Sequence, residues 1–182
     1  MNIRQALLEE HSRQHTETIA AYIGSDTERF GILMSLFTGG ETRVVQRSAW
    51  VLSYVIRKYP SLLTPYLAQT IDLLTTPGLP TAVPRNILRV LQDFPLPESV
   101  HGPLMDACFR FIADPAAPIA VKAFSLTVLD NLSRTYPEIR PELITTIEER
   151  LPFETAAFRS RARKIAAARS GGRRAKKAGG NA

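Results

Sequence analysis

At 182 residues, 45% apolar and 22% charged, the chain has the composition of a soluble globular protein long enough to bury a core. Its single cysteine excludes a disulfide framework, and no apolar run reaches the length of a membrane span or a secretory leader, so a cytoplasmic protein with no membrane partner is expected. The net charge of +6 conceals a split: residues 1–154 carry 14 basic and all 17 acidic side chains, so a slightly acidic body precedes a strongly basic tail.

Sustained alternation and Asn-Gly or Asp-Gly hairpin turns are missing, so no strand is expected. Helical spacing is interrupted at Gly39-Gly40, Pro60, Thr76-Pro77-Gly78, Pro95-Leu96-Pro97, Asp114-Pro115 and Pro137. The pattern predicts helices over 2–23, 26–38, 42–58, 62–75, 82–93, 98–113, 118–135, 139–151 and 154–169. The first of these places His11 and His15 one turn apart with Glu10 alongside. Two imidazoles on one face can bind Zn²⁺, but a structural site needs four ligands and a catalytic one usually three. With no clear third ligand, the pair reads as part of a solvated helix and no metal is assigned.

The third predicted helix lies within RVVQRSAWVLSYVIRKYP, Arg43 to Pro60. On a helical wheel Val44, Val45, Ala49, Leu52, Val55 and Ile56 form an apolar arc, with Arg43, Arg47, Trp50, Tyr54, Arg57 and Lys58 opposite. Arginines interleaved with aromatics can grip nucleic acid, yet Trp and Tyr are also ordinary packing residues.

An internal comparison bears on that choice. VVQRSAWVL, AVPRNILRV and AVKAFSLTV align with Val45, Val83 and Val121 at one common offset of 38 residues. The same offset relates Pro65, Pro103 and Pro141, then Leu67, Met105 and Leu143, then Ile71, Phe109 and Ile147. Trp50 then corresponds to Leu88 and Leu126, an apolar slot throughout, which favours a packed wedge over a base platform. Tyr54 corresponds to Gln92 and Asp130, Arg47 to Arg85 and Ala123, and Val51 to Arg89 and Thr127. These mostly polar slots are expected to face solvent.

The short helix, the turn ADPAAPIA and the following VKAFSLTVL resemble HEAT repeats of the armadillo-type class. The resemblance covers about residues 26–152, with 1–25 and 153–169 as capping helices and 170–182 as a flexible basic tail. It implies an all-α fold: a right-handed α-α superhelix, or solenoid, of stacked antiparallel helix pairs. HEAT repeats often place a basic residue after the Val that opens the second helix. Those positions are Gln46, Pro84 and Lys122, so one of three conforms. By the same resemblance second helices line the concave surface, which makes Arg47, Tyr54, Arg85, Arg89 and Gln92 the expected partner-binding patch, with a solvated polar face as the alternative.

Walker-type, GxGxxG, GxSxG, HExxH and paired CxxC motifs are absent, so no catalytic residue and no cofactor are assigned. Cys108 falls in a slot for small side chains and reads as a buried structural thiol, while His101 sits at a helix start as a capping or exposed residue. Certain bacterial alkylpurine DNA glycosylases are built from HEAT-like repeats with a basic groove, aromatics and a carboxylate. The likeness is one of architecture and residue type, and it singles out Asp130. Beyond residue 154, Arg159, Arg161, Arg163, Lys164, Arg169, Arg173, Arg174, Lys176 and Lys177 stand without a single acid. In such a segment Phe158, Ala162, Ile165 and Ala166 can pack, whereas the chain from Ser170 on has nothing bulky to bury. The tail is either a polyanion-binding arm, giving affinity without sequence choice, or a solubilising extension. Together these features lead to a non-enzymatic scaffold or adaptor that binds an unidentified protein. A nucleic-acid-binding protein is the first alternative, and a glycosylase relative the second.

Overall fold

A computed structural model describes the backbone of residues 1–177 and the side chains of residues 1–167. Among these residues there is no strand. Ten α-helices follow one another: α1 Ile3–Glu9, α2 Arg13–Ile23, α3 Thr27–Gly39, α4 Thr42–Lys58, α5 Leu67–Asp72, α6 Ala82–Leu91, α7 His101–Ala113, α8 Ile119–Leu132, α9 Arg140–Arg150 and α10 Ala156–Lys177. No helix among the described residues is long and apolar enough to cross a membrane. The fold is all-α and of solenoid type, with helices arriving in pairs. The second helices of those pairs, α4, α6, α8 and α10, begin at Thr42, Ala82, Ile119 and Ala156, steps that scatter about the sequence offset rather than repeat it.

Three predicted helices differ. The span 2–23 breaks into α1 and α2 because Ser12 caps a new helix, its Oγ accepting from the His15 amide at 3.1 Å. Asn2 and Asp26 start α1 and α3 in the same way, taking the amides of Gln5 and Arg29. The span 62–75 is mostly not α-helical. Pro65 lies inside it and supplies no amide hydrogen, and the chain runs as a 3₁₀ turn over Pro60–Tyr66, then α5, then a second 3₁₀ turn over Leu73–Thr75. The last helix runs past residue 169: the backbone of 170–177 continues α10, and residues 178–182 of the expected tail lie outside the described residues.

The chain divides into two compact units, residues 1–103 and the residues from Leu104 on. In the first, α4 is the central element, packed by α1, α2, α3 and α6. This explains why nine of its residues, from Val44 to Ile56, are buried, against the one apolar arc expected of a surface helix. Phe30, Leu33, Phe37, Val44, Ala49 and Leu88 are completely buried around it. Each such aliphatic or aromatic side chain contributes about 1.5–3 kcal/mol relative to exposure. In the second unit α8 packs against α10, and Cys108, Ile112, Val121, Leu126, Leu129, Leu143 and Phe158 form the core.

Candidate functional site

A groove of about 510 Å³ lies in the first unit between the C-terminal half of α4 and the end of α6. A volume of that size is within the range of clefts that hold small ligands or side chains of a partner. Ile56, Pro60 and Phe94 supply apolar wall, Arg57 and Arg89 the positive charge, and Asp93 a single carboxylate. Gln92 also lines it.

Five residues were expected to form one partner-binding patch, and the structure distributes them. Arg89 and Gln92 meet in the groove, and Arg85 stands exposed one turn earlier on α6. Tyr54 is half-buried; the Arg57 guanidinium lies over its ring at 5.6 Å, which ties Tyr54 to the groove through its neighbour. Arg47 turns inward instead, its Nη1 donating to the Leu7 carbonyl at 2.6 Å. That carbonyl belongs to the last turn of α1, where backbone acceptors have no partner within the helix. Sequence reasoning placed Arg57 on the polar stripe but left it out of the patch, and Asp93, Phe94 and Pro60 were missed. Their signal was weak, because all three lie at or beyond helix ends, outside the repeated segments.

The repeat slots do not share one environment. Val51 and Ala123 are buried although Arg89 and Arg85, their counterparts, are exposed. The difference comes from neighbours: α1 and α2 cover α4, and α10 covers α8. Trp50 is half-buried, with the His11 ring edge-on at 5.0 Å and Tyr54 at 6.5 Å. It fills the corner between α4 and the α1–α2 connection, so its rings are committed to packing.

Charge in the first unit is segregated. Arg4 pairs with Glu41, Arg13 with Glu17 and Arg29 with Asp26. Arg47 holds a backbone carbonyl. The remaining cations, Arg43, Arg57, Lys58, Arg85 and Arg89, have no carboxylate partner among the described residues, and every one lies on α4 or α6.

In the second unit the basic residues of α10 fall into three groups. Arg159 Nε donates to the Glu154 carbonyl at 2.8 Å, and Arg161 donates to the Ala123 carbonyl at 3.1 Å and to Thr127 while lying over Phe124. Both are held by the fold. Arg163 and Lys164 are exposed. The side chains of Arg169, Arg173, Arg174, Lys176 and Lys177 lie outside the described residues.

Lys122, the one basic residue at the expected HEAT position, is buried, and its Nζ reaches Glu154 Oε1 at 2.7 Å and the Pro115 carbonyl at 3.3 Å. Gln46 at the corresponding position of α4 is exposed. Burial alone would raise the Glu154 carboxyl, but Lys122 and Arg150 more than offset it and hold the group below its ordinary range.

Asp130 is engaged by Arg140 at 3.2 Å and Arg134 at 3.5 Å, which fixes it as an ion-pair member rather than leaving it poised for proton transfer. His15 Nε2 donates to the Ala6 carbonyl at 2.7 Å, so the two N-terminal imidazoles serve helix ends and packing. His101 is buried and donates to the Leu96 carbonyl at 3.0 Å. Among the described residues no group of three metal-ligating side chains occurs. Burial pushes the Cys108 thiol up to about 12, which removes it as a nucleophile at neutral pH.

With this geometry the family comparison agrees. The HEAT repeat domain model matches residues 3–169, and the chain belongs to that family. No curated protein and no solved structure matches it.

Proposed function

We propose that this HEAT repeat chain is a non-enzymatic interaction module, a scaffold or adaptor, whose docking surface for another protein is the α4–α6 face of the first unit. HEAT repeats are often used for protein interaction, and the observation that carries the reading here is the charge segregation. Every Arg or Lys side chain of the unit without a carboxylate or backbone partner among the described residues sits on those two adjacent helices, beside a groove with apolar walls. Side chains that stabilise the fold find partners inside it; a row of unpaired arginines on adjacent helices is what a complementary surface would neutralise.

The test is proximity labelling in cells of the source organism with the wild-type chain and the variant Arg85→Glu/Arg89→Glu. A partner recovered with the wild type and lost with the variant supports the face. Equal recovery with both removes it.

A second reading, nucleic-acid binding, is favoured by the exposed Arg163 and Lys164 on α10 and by the basic composition that follows them. It predicts that labelled DNA or RNA binds the full chain with a steep salt dependence and is lost on truncation after residue 169 combined with Arg163→Glu/Lys164→Glu, changes that leave Phe158, Ala162 and Ile165 of the core in place. Salt-independent behaviour, or binding that survives these changes, counts against that reading of α10.

A further inference from the structure

Resting on the docking face proposed above, we infer that the α4–α6 groove takes an acidic linear segment of a partner protein, with carboxylates set against Arg57 and Arg89 and an apolar side chain between them. The argument has three parts. First, the groove combines positive charge with apolar surface: Arg57 and Arg89 line it together with Ile56, Pro60 and Phe94. A guanidinium offers a planar fork of donors that matches a carboxylate, and neither arginine has an acidic partner among the described residues. Second, more positive charge lies along the same two helices. Lys58 follows Arg57, and Arg85 precedes Arg89 by one turn, both exposed, so a chain leaving the groove along either helix continues to meet cations. An extended acidic strand uses that arrangement better than a single small anion would.

Third, the groove discriminates between polyanions. Asp93 sits in its lining, so a phosphate backbone with a charge at every nucleotide would be carried against a carboxylate. A peptide can place an apolar or polar residue there, for which Gln92 and Phe94 are suitable neighbours. The two rings of the α4 polar stripe are already used: Trp50 is met edge-on by His11 and by Tyr54, and Tyr54 is covered by Arg57, which leaves Phe94 as the one aromatic ring of the lining. Two arginines beside apolar wall, with one carboxylate in the lining, fit an acidic peptide with an apolar anchor.

The experiment is selection of a random peptide display library on the purified full chain, followed by anisotropy titration of the labelled winners. Each winner is measured against wild type, Arg57→Glu, Arg89→Glu and the control Arg163→Glu, which makes the same charge change on an exposed residue of α10. Wild type and the three variants are first compared by circular dichroism. The expected result is winners rich in Asp and Glu around an apolar residue, bound about tenfold more weakly by either groove variant and unchanged by the control. Winners without acidic residues, acidic winners indifferent to Arg57 and Arg89, no enrichment at all, or tight groove-dependent binding of a single-stranded oligonucleotide in their place would each overturn it. Loss of partner labelling in the Arg85/Arg89 variant would stand in any of those cases. The occupant can therefore be wrong while the docking face is right.

Discussion

Glu154→Gln is expected to cost the second unit about 3 kcal/mol, because it removes the only counter-charge that a buried ammonium has among the described residues. The carboxylate and the Lys122 side chain are each 4% exposed, and Glu154 Oε1 is shared by Lys122 Nζ at 2.7 Å and Arg150 Nη2 at 3.0 Å. With glutamine in place, the lysine keeps only the Pro115 carbonyl at 3.3 Å and a neutral amide. Breaking a buried pair by removing one partner costs about 3–5 kcal/mol, whereas replacing both partners by apolar groups of similar size is often nearly neutral. Arg150 remains partly in water at 17% exposure and softens the loss, which argues for the lower end of that range. The double variant Lys122→Met/Glu154→Leu should accordingly fall within about 1 kcal/mol of wild type. Urea unfolding followed by circular dichroism measures both. A single variant that loses less than about 1 kcal/mol, or a double variant that loses as much as the single, refutes the assignment.

The same pair sets a pH dependence. The folded Glu154 carboxyl titrates below its ordinary value of 4.5, so the unfolded chain binds the proton more readily. Its contribution is therefore complete above pH 4.5 and fades as the pH falls through the lower folded value. Wild type should lose stability more steeply than Glu154→Gln below that point, and the two curves should run parallel above it.

Arg47→Ala is expected to speed amide exchange in α1 while leaving α3 protected, at a global cost of about 1 kcal/mol for the lost bond to the Leu7 carbonyl. Unchanged exchange in α1 would show that the contact holds nothing. Cys108 should resist a thiol reagent at pH 8 in native buffer and react at a rate that follows global unfolding, since it is fully buried and its thiol is raised to about 12. Rapid stoichiometric labelling of the native protein would contradict this.

How far the sequence is legible depends on what each residue answers to. The span 42–58 of α4 was readable because its apolar spacing answers to burial, and the structure returns α4 at Thr42–Lys58. The break at Ser12 was not, because Glu10, His11, Arg13 and Gln14 are acceptable in a helix and only the Ser12 hydroxyl decides that a new one begins. Lys122 was visible as a basic residue at a family position, but its partner lies 32 residues along, between α9 and α10, beyond the reach of local spacing. The arginines show the limit most clearly. Arg47, Arg57, Arg85, Arg89 and Arg161 are chemically identical and all fall on polar helix faces, yet two reach a backbone carbonyl of a neighbouring helix and three do not. The difference lies in whether a backbone carbonyl of a neighbouring helix, Leu7 in α1 or Ala123 in α8, comes within reach of the guanidinium. The repeat aligns second helices with one another but carries no information about the helices that flank them. It therefore identifies the core slots, Leu88 and Leu126 among them, and leaves the surface undetermined. The arginines left over once the flanking helices have taken theirs are the ones that define the proposed docking face, and they can be recognised only after the fold has sorted them.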